Sequence, residues 1–310
     1  MAGIGIITNP YSKLNKRNPR RQELLGYVAG QNGRLEITNS LEDLNRVARE
    51  FRDQDISVLA INGGDGTISR TLTAIINAYG DKPLPKVVIL RGGTVNVLAT
   101  NLGVKGSPEH ILFRLMEAHS TGQYKDRVRL YTLKIEGEYG FLFGNGSCFS
   151  FLEEFYRNKT NLFGSVTLLL KVIASRLFNR SLYDRLIYQD KMTLEFKGKP
   201  AYEHQSCAVF CSTVEKMPLG IKLFWQNAEK SRILQVISAI TDPLKAWYTL
   251  PLSILLRPRE SDSAKISQTG TDLVVTSEKS ANYTLDGELF YPSSKQVHIT
   301  LGPKIEFLIV

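Results

Sequence analysis

Two glycine-rich stretches stand where apolar runs give way to helical periodicity. The first, Asn62-Gly63-Gly64-Asp65-Gly66-Thr67, follows the apolar run 56–61 and precedes 68–78, where apolar residues recur at helical spacing. Glycines let a backbone approach an anion closely. A helix N-terminus adds free N–H groups and the positive end of its dipole, and an aspartate there can hold a metal ion or orient a transferring group. That chemistry describes an anion site, and the same residues also describe a glycine-rich turn with a helix cap. The second stretch, Gly92-Gly93-Thr94-Val95-Asn96, closes the apolar run 87–90 and opens another helical segment through Leu102. Thr94 and Asn96 are short hydrogen-bonding side chains that serve as ligands or as caps. Two such loops at neighbouring strand ends can face one crevice.

A third constellation, Asp286-Gly287-Glu288, lies near the end of the chain. Residues i and i+2 share a face in a strand, and Gly287 also permits a sharper path, so the pair of carboxylates serves one site only from a turn or irregular loop. Read alone, Asp286-Gly287 is first of all an ordinary hairpin turn.

The elements that must position these residues alternate over the first 123 positions. Strands are expected at 3–8, 34–38, 56–61 and 87–90, with helices at 20–31, 41–52 and 68–78; Ser40 is placed to cap the second helix ahead of Asp43. This order predicts a parallel sheet with helices on its faces and ligands at the carboxyl ends of its strands, where both loops fall. From 124 to 310 the texture becomes strand-like, at 130–136, 139–143, 192–196, 206–211, 272–276, 280–285 and 296–301, which predicts a second, antiparallel β-rich domain. A helix at 161–179 and an apolar, aromatic stretch at 244–259 containing Trp247 and Tyr248 interrupt it.

Composition narrows the setting. With 310 residues the chain can bury a large core without disulfides or structural metal. Cys148, Cys207 and Cys211 form no CxxC pair, and His110, His119, His204 and His298 lack metal-ligand spacing, which favours a reducing, cytoplasmic compartment over a disulfide scaffold. The opening MAGIGIITNP reads as a first strand, not a signal peptide, and no apolar run approaches the roughly 20 residues of a membrane span. A net charge of +9 draws polyanions without choosing among them, and no aromatic-interleaved basic module argues for nucleic acid.

Asn9-Pro10-Tyr11-Ser12 after the first strand, GGDGT at 63–67, GGTxN at 92–96 with its Asn-Leu-Gly tail, and Asp286-Gly287-Glu288 occur in one order across nearly the whole chain. Together they make the sequence resemble the catalytic family of diacylglycerol and sphingosine kinases, in its soluble bacterial form. GGDGT alone is shared with NAD kinases and phosphofructokinases; the four motifs together are not.

The resemblance implies an N-terminal α/β nucleotide-binding domain (1–123), a C-terminal antiparallel β-sandwich with a lipid pocket (124–310), catalysis between them, and a last strand returning to the first domain. It implies ATP and Mg²⁺ as cofactors. Asn9, Ser12, Thr38, Gly63, Gly64, Asp65, Gly66, Thr67, Gly93, Thr94 and Asn96 would bind the nucleotide. Asp65, Asp286 and Glu288 would be catalytic, with Glu288 favoured as the base that deprotonates the acceptor hydroxyl. Lys13 departs from the pattern, standing where glycine often follows the first motif. So does 217–234, which has Asn227, Glu229 and Lys230 but no paired aspartates, so no structural metal site is expected there.

The stretches 161–179 and 244–259, the latter ending in Arg257 and Arg259, suit an enzyme that draws a lipid from the cytoplasmic face of the inner membrane while staying peripheral to it; equally, they suit core or a homodimer interface. A kinase for a soluble acceptor and a non-catalytic lipid- or nucleotide-sensing protein are the competing readings. Intact Asp65, Asp286 and Glu288 weigh against the second.

Overall fold

A computed structural model describes residues 3–93, 96–157, 175, 181–218, 222–224, 233–239 and 265–310. Its first part comprises, in chain order, β1 (Ile4–Thr8), α1 (Lys13–Arg17), α2 (Arg21–Ala29), β2 (Gly33–Ile37), α3 (Leu41–Asp53), β3 (Val58–Asn62), α4 (Asp65–Tyr79), β4 (Lys86–Ile89), α5 (Val97–Asn101) and α6 (Pro108–Thr121). The strands pair in parallel in the order β2-β1-β3-β4. Every residue of β1 and β3 is buried, the reason these strands read as unbroken apolar runs with no alternation. One face of the sheet packs Ile7, Leu59 and Ile61 against Val47 and Phe51 of α3 and Leu72 of α4. The other packs Ile4, Ile6 and Val58 against Leu25 of α2 and Ile111 and Leu115 of α6.

Two helix starts, those of α3 and α6, follow side-chain caps. The Ser40 hydroxyl accepts from the Asp43 N–H at 3.1 Å, as its spacing predicts. Helix α6 was not expected from periodicity, yet its start is written locally: Ser107 accepts from the His110 N–H at 3.3 Å, and Pro108 occupies the first helical position.

The second part comprises β5 (Asp126–Ile135), β6 (Glu138–Gly140), β7 (Leu142–Asn145), α7 (Ser147–Arg157), a short helix Ser181–Leu186, β8 (Asp190–Phe196), β9 (Tyr202–Ser206), β10 (Ala208–Ser212), β11 (Leu234–Ala239), β12 (Lys265–Gly270), β13 (Asp272–Ser277), β14 (Tyr283–Leu285), β15 (Glu288–Phe290) and β16 (Gln296–Ile309). The long strand β16 runs parallel to β4 at one end, with Phe307 opposite Val87, and antiparallel to β13 at the other. The parallel sheet therefore continues without a break into antiparallel strands, in the order β2-β1-β3-β4-β16-β13-β8-β9, with β5 and β6 joined alongside β16. A separate antiparallel sheet, β12-β11-β10-β7-β14-β15, faces it. Leu133, Met192, Leu273 and Val297 of the first sheet meet Phe143, Val209, Val236 and Tyr283 of the second in one buried core, which makes this half a sandwich.

The expected strand 139–143 is two strands in different sheets. Between them the Phe141 N–H turns to the Asp286 carboxylate, while its carbonyl accepts from Thr213 N and the Ser212 hydroxyl. Full pairing of that backbone elsewhere lets the chain cross between sheets there. The stretches 161–179 and 244–259 lie outside the described residues, apart from position 175.

Candidate active site

The first two glycine loops and the NPYS segment meet at the carboxyl ends of β1, β3 and β4. Asn9 donates its side-chain amide to the Thr67 hydroxyl at 2.9 Å, and Ser12 lies 3.3 Å from the same oxygen. Beneath them, the Asn62 amide donates to Thr8 Oγ1 at 2.8 Å and to Asn15 Oδ1 at 3.2 Å, and Asn15 donates to the Asn9 carbonyl at 2.7 Å. Asn15 and Asn62 are buried and fix the loops from below. Asn62 was visible as the lead residue of its loop, whereas nothing in the sequence singles out Asn15.

The glycines are set by contact. A β-carbon on Gly63 would overlap Thr67, and one on Gly93 would overlap Gly64, so the two loops touch backbone to backbone. Asp65, the first residue of α4, spans the loops as well: its carboxylate accepts from the Leu98 N–H at 3.3 Å, at the start of α5. Burial pushes the Asp65 carboxyl above the usual range, opposed by the N–H groups of Val97, Leu98 and Asn96. Asn96 adopts the left-handed conformation, which asparagine tolerates, and donates to the Gly93 carbonyl at 2.7 Å. Thr94 lies outside the described residues. Thr38 is buried at the end of β2, its N–H bonded to the Thr8 carbonyl at 3.1 Å.

The Asp286-Gly287-Glu288 segment is a hairpin turn and part of this site at once. Leu285 pairs with Glu288 across β14 and β15, and the two residues between them, Asp286 and Gly287, have φ of 50° and 92°. Positive φ at both central positions is the tight turn whose twist matches a hairpin. It points the Asp286 carboxylate inward, where it accepts from Phe141 N at 3.1 Å and Leu142 N at 2.9 Å. Burial pushes Asp286 up to about 7; those N–H groups act the other way, and the charge of Asp65 adds to the rise. Glu288 projects instead toward Gly66, where its Oε1 occupies the space a β-carbon would take.

Two cavities adjoin this cluster. The larger, of about 690 Å³, is lined by Ser12, Asp65 and Gly93, by Asp286 and Glu288, and by an apolar wall that includes Phe141, Phe151, Leu152, Phe155 and Val214. The smaller, of about 350 Å³, is polar at Asn9, Thr38, Ser40 and Thr71. Tyr11, Gly66, Thr67 and Glu288 border both. Helix α7, which supplies much of the apolar wall, escaped sequence reasoning although Phe149, Leu152 and Phe155 recur at helical spacing. Its Tyr156 donates to the Gly287 carbonyl at 2.9 Å and so pins the turn from outside.

Among the described residues no three His, Cys, Asp or Glu side chains converge into a cage for an ion. A divalent cation that completes its shell with phosphate oxygens and water needs only one or two carboxylates. Asp65 and Asp286, facing one cavity with their charges unfavourably close, fit that requirement.

Residues 4–123 match the diacylglycerol kinase catalytic domain. A 70-residue stretch is 37% identical to "Probable lipid kinase YegS" of Escherichia coli O6:K15:H31 (strain 536 / UPEC) and 36% identical to the Shigella flexneri protein of the same name. In each case the match covers 23% of this chain and 23% of the relative, about a quarter of that relative's length. The fold is similar to the crystal structure of a diacylglycerol kinase from Bacillus anthracis str. Sterne, with a TM-score of 0.68 over 99% of this chain and 97% of that one, at 13% identity. The loops at Gly63 and Gly93 both lie inside the segment that matches the diacylglycerol kinase catalytic domain.

Proposed function

We infer that this protein is a kinase that moves the γ-phosphoryl group of ATP to the hydroxyl of a membrane lipid, with a diacylglycerol-like acceptor first and a sphingoid acceptor second. The observation that carries the reading is the placement of Glu288, from the second domain, against Gly66 of the first, on the border shared by a polar cavity and an apolar-walled one. A nucleotide in the smaller cavity and a lipid hydroxyl in the larger would meet at that border.

Each residue then has a task. Asn9, Ser12, Thr38 and Thr67 supply hydrogen bonds to the nucleotide. The glycines of both loops let backbone N–H groups reach its phosphates. Asp65 and Asp286 would hold Mg²⁺, which would supply positive charge to offset that of the phosphates. Glu288, half-exposed and bordering both cavities, accepts the proton of the acceptor hydroxyl as it attacks. The apolar wall of α7 seats the lipid's hydrocarbon.

The test is transfer of labelled γ-phosphate from MgATP to a panel of lipids in mixed micelles, beside the Asp65→Asn variant to exclude a contaminating kinase. A labelled lipid lost in the variant supports the reading and names the acceptor; ATP binding without transfer to any lipid points to a soluble acceptor or a sensing role. The acceptor's place in a bilayer makes peripheral binding at the cytoplasmic face of the inner membrane part of the same proposal. Among the described residues no helix is long and apolar enough to cross a membrane. Sedimentation with anionic vesicles at low salt checks it, and absence of binding would count against it.

A further inference from the structure

Arg70 stands one turn along α4 from Gly66 and is, among the described residues, the only cationic side chain lining the smaller cavity. It bridges the two domains. One guanidinium nitrogen, Nη1, lies 3.2 Å from Glu138 Oε2 on β6, and the other, Nη2, lies 3.7 Å from Glu288 Oε2 on β15. Its guanidinium carbon sits 5.1 Å over the Phe290 ring. Packing on the ring and the closer pairing with Glu138 fix the plane of the group. The Glu288 contact is longer than a hydrogen bond, so the edge that faces the cavity has donor capacity to spare.

The charge balance of the cavity gives that edge a use. Glu288 is the only acidic side chain among the described residues that line it. A polyanionic phosphate chain entering the cavity meets this carboxylate, with Arg70 the one cation among the described lining residues able to offset both. A planar guanidinium forms paired, charge-assisted hydrogen bonds with phosphate oxygens, and these are stronger than its distant contact with Glu288.

We propose that Arg70 is a further nucleotide-binding residue of this site, donating from its Glu288-facing edge to the phosphate chain of the nucleotide while Glu138 and Phe290 hold it in plane. The exchange has a consequence for Glu288. Its only ion-pair partner among the described residues turns to the nucleotide, leaving the carboxylate free to face an acceptor when the donor is in place. This rests on the reading of the smaller cavity as the nucleotide's.

The experiment is a calorimetric series on the full chain with MgATP, MgADP, AMP and adenosine, for the wild type, Arg70→Gln and Arg70→Lys. The expected result is that Arg70→Gln weakens MgATP binding about ten- to a hundredfold, weakens AMP less and leaves adenosine unchanged. Arg70→Lys, which keeps the charge but not the fork, falls between. Equal affinities in wild type and Arg70→Gln across the series overturn the role of Arg70 and leave the kinase reading standing. A uniform loss that includes adenosine also overturns it, since it marks a structural effect of losing the interdomain bridge. A wild type that binds none of the four overturns the nucleotide reading itself, and this proposal with it.

Discussion

Glu288, at the start of β15, sets its Oε1 where a β-carbon on Gly66 of α4 would stand. Gly66 lies within α4, where alanine is the better helix former by up to about 1 kcal/mol. Gly66→Ala should therefore leave the melting temperature unchanged or slightly raised while displacing the Glu288 carboxylate, and kcat should fall about 10²-fold. Thermal melts and turnover on one preparation check the split. The Gly66→Ala/Glu288→Gln double variant should be little worse than Glu288→Gln alone, because both changes disable the same group.

Glu288→Gln should lower kcat by about 10²–10⁴-fold, the range of a positioned general base, with ATP affinity changed far less. Separate measurement of nucleotide binding and turnover decides it; a purified variant with wild-type kcat would remove Glu288 from the chemistry.

Asp65→Asn keeps an oxygen able to accept from the Leu98 N–H, so the start of α5 should survive. What is lost, on the proposed reading, is the charge beside the nucleotide's phosphates. Turnover should fall by about 10²–10³-fold or more while the circular dichroism spectrum and melting temperature stay close to wild type. A large drop in stability would make Asp65 chiefly a cap.

Asp286 should make the protein more stable in acid than in mild base. Its carboxyl holds a proton up to about pH 7 in the native state, against 3.8 as the reference value. Between those values the native form carries more protons than the unfolded one, and stability falls as pH rises. Asp286→Asn removes the ionised carboxylate and places Asn-Gly, the preferred pair, in the turn. The variant should melt higher than wild type at pH 8.5, by an amount worth up to ~4 kcal/mol, with the gap closing by pH 4. A lower melting temperature at pH 8.5 would mean that the N–H groups of Phe141 and Leu142 more than offset the burial.

How much of this could be read from the sequence depends on how local each cause is. The glycine loops were legible because backbone contact with Thr67 and between Gly64 and Gly93 permits no side chain, and the sequence obeys. Ser40 was legible because its cap lies three residues away. Asp286-Gly287 was read as either a turn or a site, and it is both, because the same left-handed backbone that tightens the hairpin turns the carboxylate inward. Asn15 and Arg70 were not legible: their partners Asn62, Glu138 and Glu288 lie 47 or more positions away, and nothing in the surrounding residues marks them. The split of 139–143 into two sheets was hidden for the same reason, since it depends on Asp286 and Ser212.

Strand β16 also imposes an order on synthesis. Val87 of the parallel sheet pairs with Phe307. At roughly 5–20 residues per second, the ribosome delivers that partner ~11–44 s after β4 itself. Until then β4 presents an open edge on a half-made sheet, a template for pairing with another nascent chain. The molecule is exposed to aggregation for longest at the seam that later joins its two halves, and a chaperone that shields that edge during translation would raise the yield of folded protein more than one acting after release.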